Sequence, residues 1–318
     1  MKTFYALLLA LGICLGFTFP AMAEYPAKPI MLMTAFNAGG GSDLSHRLIE
    51  KFAKAVIPQP IVVTYKAGAG GEIGWTWLVG AKADGYTIGG VDLPHIVLQP
   101  MLRPEGQPGY KTEQLSPLCG LVYDADVVMV PEDGPYKTLK DLIEYAKANP
   151  GKVKVATVGK LTGDHLFLMQ IEKLTGAKFT QVPYSGSGKA IPALLSGEVD
   201  AYFGSGSSFL RMEKTRGLAI GSKERYELCP DVPTFIEQGY AIESGKYRGL
   251  ATPQNIPAEA RQYLETKFAE LCANPEYQKA VKSSGLMPQF QTGKAFGEII
   301  RTEGEQAKKI LEAYGLLK

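Results

Sequence analysis

The sequence predicts an α/β fold of two lobes facing one cleft, each lobe a sheet flanked by helices. Three observations carry this. A strand, a glycine loop and a helix follow one another from Ile30 to Phe52. The same unit recurs through the first hundred residues and again, three times, between Val153 and Ser208. Each of these strands ends in a loop of special composition, and in open α/β sheets ligands bind outside the carboxyl ends of the strands.

Met1 to Ala23 reads as an export leader. Lys2 is its only charge, Leu7 to Phe19 its apolar core, and Ala21-Met22-Ala23 a small-x-small cleavage site. The run is shorter than the roughly 20 apolar residues of a membrane span. Ile13 stands before Cys14, where lipoprotein processing needs a small residue. A mature protein beginning at Glu24 in the periplasm is expected. The formal net charge of the chain is +2, one unit of it from the leader, which gives no reason to expect nucleic acid or an anionic membrane as partner. Export leaves Cys119, Cys229 and Cys272 in an oxidising compartment, as one pair plus a free thiol or as three thiols. These cysteines and His46, His95 and His165 show no metal-ligand spacing, so neither metal nor cofactor is expected.

In chain order, Ile30–Ala35, Ile61–Tyr65 and Thr87–Val91 are apolar enough for buried strands. The glycine loop Ala67–Gly74 leads into a helix with Ile73, Trp77 and Leu78 inward, and Asp92-Leu-Pro-His95 closes the third strand. Arg103–Ser116 reads as a surface loop. Leu121–Val130 is an apolar run broken by Asp124 and Asp126, long enough to pass between lobes. Thr138-Leu-Lys-Asp141 is a capping-box start. Val153–Val158, Phe179–Pro183 and Glu198–Phe203 are the strands of the second lobe. They are followed by Gly159–Asp164, Tyr184–Gly188 and Gly204–Ser208, with a helix from His165 closed at Gly176 and another through Leu195. Leu218–Ile220 is a short strand that leads back, Gly249–Pro253 a strand of the first lobe, and Ile256–Cys272 and Ala295–Tyr314 amphipathic helices. The lobes are therefore drawn as 24–122 with 249–318, and 123–248, joined by crossing strands.

The chemistry is expected at Phe36-Asn-Ala-Gly-Gly-Gly-Ser-Asp43. Consecutive glycines let bare N–H groups approach a ligand, and the helix start adds unpaired N–H groups and a partial positive charge. That suits an anion. A phosphate loop would need Gly-Lys-Ser/Thr, and Gly41 is followed by Ser-Asp. A carboxylate held by neutral amides fits better, with Ser42 or Asp43 as the helix cap.

Several motifs in one order carry a resemblance. They include Tyr25-Pro-Ala-Lys-Pro-Ile30, the Phe36–Asp43 loop, Gly68-Ala-Gly-Gly-x-Ile-Gly74 and Ala83-Asp-Gly-Tyr-Thr87. Later come Tyr136–Leu142, Ala148–Lys152, Val182-Pro-Tyr-x-Gly-Ser-Gly188, Leu195-x-Gly-x-Val-Asp200, Pro230–Thr234 and Arg248-Gly-Leu250. In these the chain resembles the Bug family, the solute-binding proteins of tripartite tricarboxylate transporters. The resemblance implies a two-lobed, type II-like periplasmic binding fold without enzymatic activity. It would close on a small organic acid and deliver it, as a monomer, to membrane transporter subunits. It implies one carboxylate held by Phe36, Ala38, Gly39, Asp43, Gly68, Ala69 and Gly70, and the rest of the ligand read by Thr162, Gly163, Asp164, Tyr184 and Ser185; the glycine-loop reading adds Gly40. The chain departs from the family at Asp92 and His95, at Lys160 within Gly159–Asp164, and at Gly204. All face the expected cleft and count as site candidates. Lys160 is expected to read a second negative group on the ligand unless Asp164 already pairs with it.

Single residues keep plainer alternatives. Asp43 is a helix cap or a ligand group, His95 a cleft wall or packing, and Arg248 a structural ion pair. A rival reading is a nicotinamide-dependent oxidoreductase. Gly68-x-Gly70-x-x-x-Gly74 follows a strand, and Asp92 ends the next strand about 20 residues on, as a dinucleotide fold requires. A binding protein that serves sensing without transport is the other alternative.

Overall fold

The computed structural model describes residues 25–317 apart from 105, 106, 108 and 161, so the expected leader lies outside the described residues. The first unit is β1 (Ile30–Thr34), α1 (Gly41–Phe52), β2 (Ile61–Tyr65), α2 (Glu72–Val79), β3 (Thr87–Asp92) and α3 (His95–Leu102). The long strand β4 (Leu115–Pro131) leads to α4 (Leu139–Ala148), β5 (Lys154–Thr157), α5 (Gly163–Thr175), β6 (Thr180–Pro183), α6 (Ser187–Leu195), β7 (Ala201–Ser205), the single turn α7 (Gly206–Phe209) and β8 (Thr215–Ile220). The chain returns by β9 (Gly245–Pro253) to α8 (Ala258–Ala273), α9 (Pro275–Ser283), β10 (Met287–Thr292) and α10 (Gly293–Ala313).

The strands run in the order β2-β1-β3-β9-β4-β7-β5-β6, with β8 and β10 also on β4. The β1–β2, β1–β3, β5–β6 and β5–β7 pairs are parallel, as strands joined by crossover helices must be. The first half of β4 pairs with β9 and β10, and its second half with β7 and β8. One strand thus belongs to both lobes, and antiparallel β9 lies beside it along Leu115–Ala125. Each lobe has its own apolar core: Leu32, Trp75, Phe268 and Phe296 are wholly buried on one side, Phe167, Tyr202, Phe203 and Phe235 on the other.

Most elements stand where the sequence places them, and several details differ. The Thr138 hydroxyl accepts from the Asp141 N–H at 3.1 Å while the Asp141 carboxylate accepts from the Thr138 N–H at 2.8 Å, the expected capping box. In α2 the inward face is Gly74, Trp75 and Leu78, whereas Ile73 is 52% exposed. A tight φ of +102° at Gly71 turns the helix start by about one residue and moves Trp75 into the core, where its indole N–H donates to the Gly90 carbonyl at 2.9 Å. Tyr110, expected on a surface loop, is fully buried and donates to the Ile96 carbonyl at 2.6 Å. The short strand at Leu218 extends to Thr215 and pairs with β4 instead of leading back. α3, α9 and β10 have no counterpart in the sequence expectations. Cys119, Cys229 and Cys272 are all buried free thiols. Burial pushes Cys229 up to about 11 and Cys272 to about 12, so neither is reactive near neutrality.

Candidate functional site

The carboxyl ends of β1 and β3 meet those of β5, β6 and β7 around a small, partly open space of about 20 Å³. Its wall includes Phe36, Gly40, Gly41 and Ser42 from the first glycine loop, and Asp92 and His95 from the end of β3. Val158, Asp164, Ser187, Tyr202 and Ser205 line it from the second lobe, and Lys246 and Arg248 from β9 form its floor.

The first glycine loop is built for close approach. The N-cap of α1 is Gly40, which has no side chain to bond the helix start, so the expected cap by Ser42 or Asp43 is not what forms. Asp43 instead sits in the first turn and reaches back, its carboxylate accepting from the Gly39 N–H at 2.8 Å and from the Tyr65 hydroxyl at 2.5 Å. Asp43 therefore shapes the loop. The first-turn N–H groups of α1 have no intrahelical acceptor, and Gly40, Gly41 and Ser42 line the space. Gly41 is required here because a Cβ would lie 2.5 Å from the Arg248 guanidinium.

Two buried ion centres occupy the floor. Arg248 lies directly across from Asp92 in the β3–β9 pair and bonds it through Nη1, which also donates to the Ser42 hydroxyl at 2.7 Å. Its Nη2 donates to Asp124 of β4 at 3.0 Å. Asp124 in turn accepts from the Ser207 N–H at 2.9 Å and hydroxyl at 2.6 Å. Two residues earlier on β9, Lys246 bonds Asp126 of β4 and stands 2.8 Å from Asp164 at the start of α5. Asp126 also accepts from the Ser244 hydroxyl at 2.6 Å, and Asp164 from the Val158 N–H at 3.0 Å. All six charged side chains are at most 6% exposed.

Burial pulls the Lys246 ammonium down, and the carboxylates of Asp126 and Asp164 more than offset it, holding it above its ordinary value. Arg248 is raised in the same way between Asp92 and Asp124. Burial pushes the Asp126 carboxyl up against the pull of Lys246. Burial, with the Lys246 and Arg248 charges beside it, drives His95 well below the usual imidazole range. His46 falls to about 4, chiefly by burial; its Nδ1 lies 2.7 Å from the Thr34 hydroxyl and its ring fills the space left by Gly90.

Of the expected site residues, Phe36, Gly40, Asp92, His95 and Asp164 line this space together. Ala38 and Gly39 lie at its rim against Gly188 of the second lobe, beside the Asn37 amide, which donates to the Ser185 hydroxyl at 2.6 Å. Gly68, Ala69 and Gly70 lie outside it; Gly70 packs on Gln99 and Thr162. Thr162 caps α5 through the His165 N–H, and Gly163 packs on Pro94 and His95. The Tyr184 hydroxyl is bonded to Glu198, and Gly204 packs on the Tyr202 ring. Lys160 is exposed, with its carbonyl toward Gln99. The competing Lys160–Asp164 pair is corrected: Asp164 is fully buried and is held by Lys246. Arg248 is indeed an ion pair, but one at the floor of the cleft.

The dinucleotide geometry fails. The Gly68 loop follows β2, Asp92 ends β3, and β1 lies between them in the sheet, so the two cannot grip one nucleotide. Asp92 is also committed to Ser42 and Arg248. Lys246, Arg248, Ser42, Ser187, Tyr202 and Ser205 were not foreseen as lining residues. Asp124 and Asp126, two acids in an otherwise apolar strand, were the one sequence signal for buried cations nearby.

A two-lobed sheet whose loops converge on a shared cleft defines the class of periplasmic binding proteins. A solved periplasmic transporter structure superposes with a TM-score of 0.88 at 28% identity, covering 92% of this chain and 99% of that one. The periplasmic binding protein BugD superposes with a TM-score of 0.85 at 25% identity, over 92% and 100%. Protein BugT of Bordetella pertussis is 34% identical over 288 residues, 87% of this chain and 86% of that one. The profile of the tripartite tricarboxylate transporter family receptor matches residues 46–316, and the chain belongs to that family of solute-binding receptors.

Proposed function

We propose that the protein works in the periplasm as a monomeric, non-catalytic receptor. It captures a small organic carboxylate between its lobes and passes it to the membrane subunits of a tripartite tricarboxylate-type transporter. The observation that carries this is the Gly40–Ser42 helix start, which has no side-chain cap and lines the space between the lobes. A carboxylate seated there meets neutral donors and the positive end of α1. The lobe division is 24–122 with 249–318 against 123–248, hinged where β4 and β9 cross. The candidate ligand set is Phe36, Ala38, Gly39, Gly40, Asp43, Gly68, Ala69, Gly70, Asp92, His95, Lys160, Thr162, Gly163, Asp164, Tyr184, Ser185 and Gly204, of which Phe36, Gly40, Asp92, His95 and Asp164 line the space directly. A space of about 20 Å³ holds about one water molecule, so an organic acid enters as the lobes part, by a hinge motion.

A thermal-shift screen of the exported protein against small organic acids tests this. A ligand at about 100 times its Kd stabilises by about 2.7 kcal/mol, several degrees in melting temperature. A screen in which no acid shifts the transition while a nicotinamide dinucleotide does would overturn the reading.

A further inference from the structure

Two glycines of the second lobe stand where a helix gains from a side chain. Gly188 is the second residue of α6 and Gly163 the first of α5. Neither has the positive φ that calls for glycine, and glycine is a poorer helix residue than alanine. The reason for both lies across the cleft. A Cβ at Gly188 would overlap the Ala38 carbonyl oxygen. One at Gly163 would lie 2.9 Å from Pro94 Cδ and 3.0 Å from His95 Cε1. These neighbours all belong to the first lobe, so they take the room of a methyl group only while the lobes are together.

The two glycines mark two seams. In one, the Phe36–Asp43 loop meets Tyr184–Gly188. A Cβ at Gly39 would lie 3.7 Å from Gly188 Cα, and one at Gly186 would lie 3.3 Å from the Asn37 nitrogen. The Asn37 side-chain amide donates across this seam to the Ser185 hydroxyl at 2.6 Å and to the Ser185 carbonyl at 3.3 Å. In the other, Gly70 and α3 meet Gly159, Lys160 and Gly163. A Cβ at Gly159 would lie 3.4 Å from Gly70 Cα, and Gln99 Nε2 donates to the Lys160 carbonyl at 3.4 Å. Backbone thus meets backbone in both seams, with glycine on each side. Every one of these contacts is protein to protein, so their attraction does not pass through a ligand.

We propose that the two seams close the receptor by their own contacts. The closed form is the major state of the ligand-free protein, and Gly163 and Gly188 are the positioning residues that let the lobes seat. A ligand then enters through the minor open state, and its association is slowed accordingly.

Small-angle scattering tests this with no ligand added. The protein is unfolded in guanidinium chloride, dialysed and refolded, so that nothing carried from the cell remains. The wild type should fit the profile calculated from the closed structure. Gly188→Ala, Gly163→Ala and the two combined should remain folded by circular dichroism and show a larger radius of gyration. Gly297→Ala on α10, where a Cβ would meet only Pro117 Cγ at 3.7 Å, should keep the wild-type profile. If a glycine variant does not fold, Ser185→Trp places a wedge in the first seam from a half-buried loop position and should enlarge the radius in its stead. A refolded wild type that fits only an expanded profile overturns closure by the seams. Wedge variants that keep the wild-type radius overturn the seating role of the glycines. Neither result touches the carboxylate-receptor reading, because no ligand takes part.

Discussion

Arg248 and Lys246 stand two residues apart on β9 and face the same side of the sheet. Each takes one acid from β4, Asp124 or Asp126, along the strand diagonal. Each takes a second acid from a different lobe: Asp92 from the end of β3 for Arg248, Asp164 from the start of α5 for Lys246. One centre therefore ties the crossing strands to the first lobe and the other ties them to the second. The cations differ in kind. The Arg248 fork spreads over three partners with fixed geometry, whereas Lys246 is a point charge between two. The crossing strands thus hold the first lobe by a directional lock and the second by a softer one.

The largest expected effect breaks the first lock. Arg248→Met leaves Asp92 and Asp124 buried without a counter-charge, and breaking such a pair costs about 3–5 kcal/mol. Lys246→Met should cost less. Asp126 already has its carboxyl raised by burial and can take up a proton that the unfolded chain does not hold. Folding that binds a proton gains stability as pH falls, so both deficits should shrink on acidification, that of Lys246→Met from the higher pH because Asp126 is already raised with the cation in place. Urea unfolding of both variants near pH 7 and pH 5 measures this. Equal costs with equal pH trends would mean that the two centres are equivalent.

The next effect separates the lock from the ligand. Gly40 has an ordinary extended φ of −87°, and a Cβ there would make only 3.7 Å contacts with Asn37 and Ser187. Gly40→Val should therefore fold, yet place its methyl groups between the α1 amides and the second lobe. A loss of about a hundredfold in ligand affinity, about 2.7 kcal/mol, with an unchanged unfolding midpoint, is expected. At Gly41 even a methyl group meets Arg248, so Gly41→Ala should lower stability as well. Unchanged affinity in Gly40→Val would remove this loop from the site.

His46 sharpens the first centre further. It is buried behind Asp92 and Arg248, with Asp43 also near, and its pKa is lowered to about 4. The unfolded chain takes up this proton near pH 6.5 and the folded one does not. The stability it contributes is present above pH 6.5 and is lost as pH falls toward 4. Between pH 6.5 and 5 the loss is about 2 kcal/mol, and His95, lowered well below its usual range, adds in the same direction. His46→Gln should remove the His46 share of the slope in pH-dependent urea melts. A variant with the wild-type slope would contradict a neutral His46.

The sequence made the secondary elements legible wherever pattern and boundary agreed. Val153–Val158 and Ile61–Tyr65 read directly, because apolar runs bounded by glycine or proline leave few alternatives. α9 and β10 escaped because Pro275–Ser283 is highly polar and Met287–Thr292 carries Pro288. The glycine loop was legible as a helix start, since three glycines before a helix have one physical use. The ion centres were not. Lys246 comes 120 positions after Asp126 and Arg248 comes 156 after Asp92. Only the antiparallel registers of β9 with β4 and with β3 bring them together, and no local spacing encodes them. Asp92 looked like a ribose ligand for the same reason: its chain distance from Gly68 was right, while its place in the sheet was not.

The smallest effect falls near the softer of the two centres. Lys160 stands in the loop before α5, the helix that brings Asp164 to Lys246, and it is exposed. Asp164 is spoken for, so the Lys160 charge is free of that pairing. An exposed ion pair is worth about 0.2–1 kcal/mol, so Lys160→Met should weaken a ligand that places a carboxylate toward the rim by no more than about fivefold. The loss should fade as salt rises, because a surface charge is screened beyond about 10 Å at 0.1 M. A matched ligand without that outer carboxylate should barely respond. Calorimetry of the variant at low and high salt separates the outcomes. A loss of tenfold or more that salt does not touch would mean that Lys160 swings into the closed cleft and acts as a third cation beside Lys246 and Arg248. An equal small loss for both ligands would make it a loop-shaping residue only.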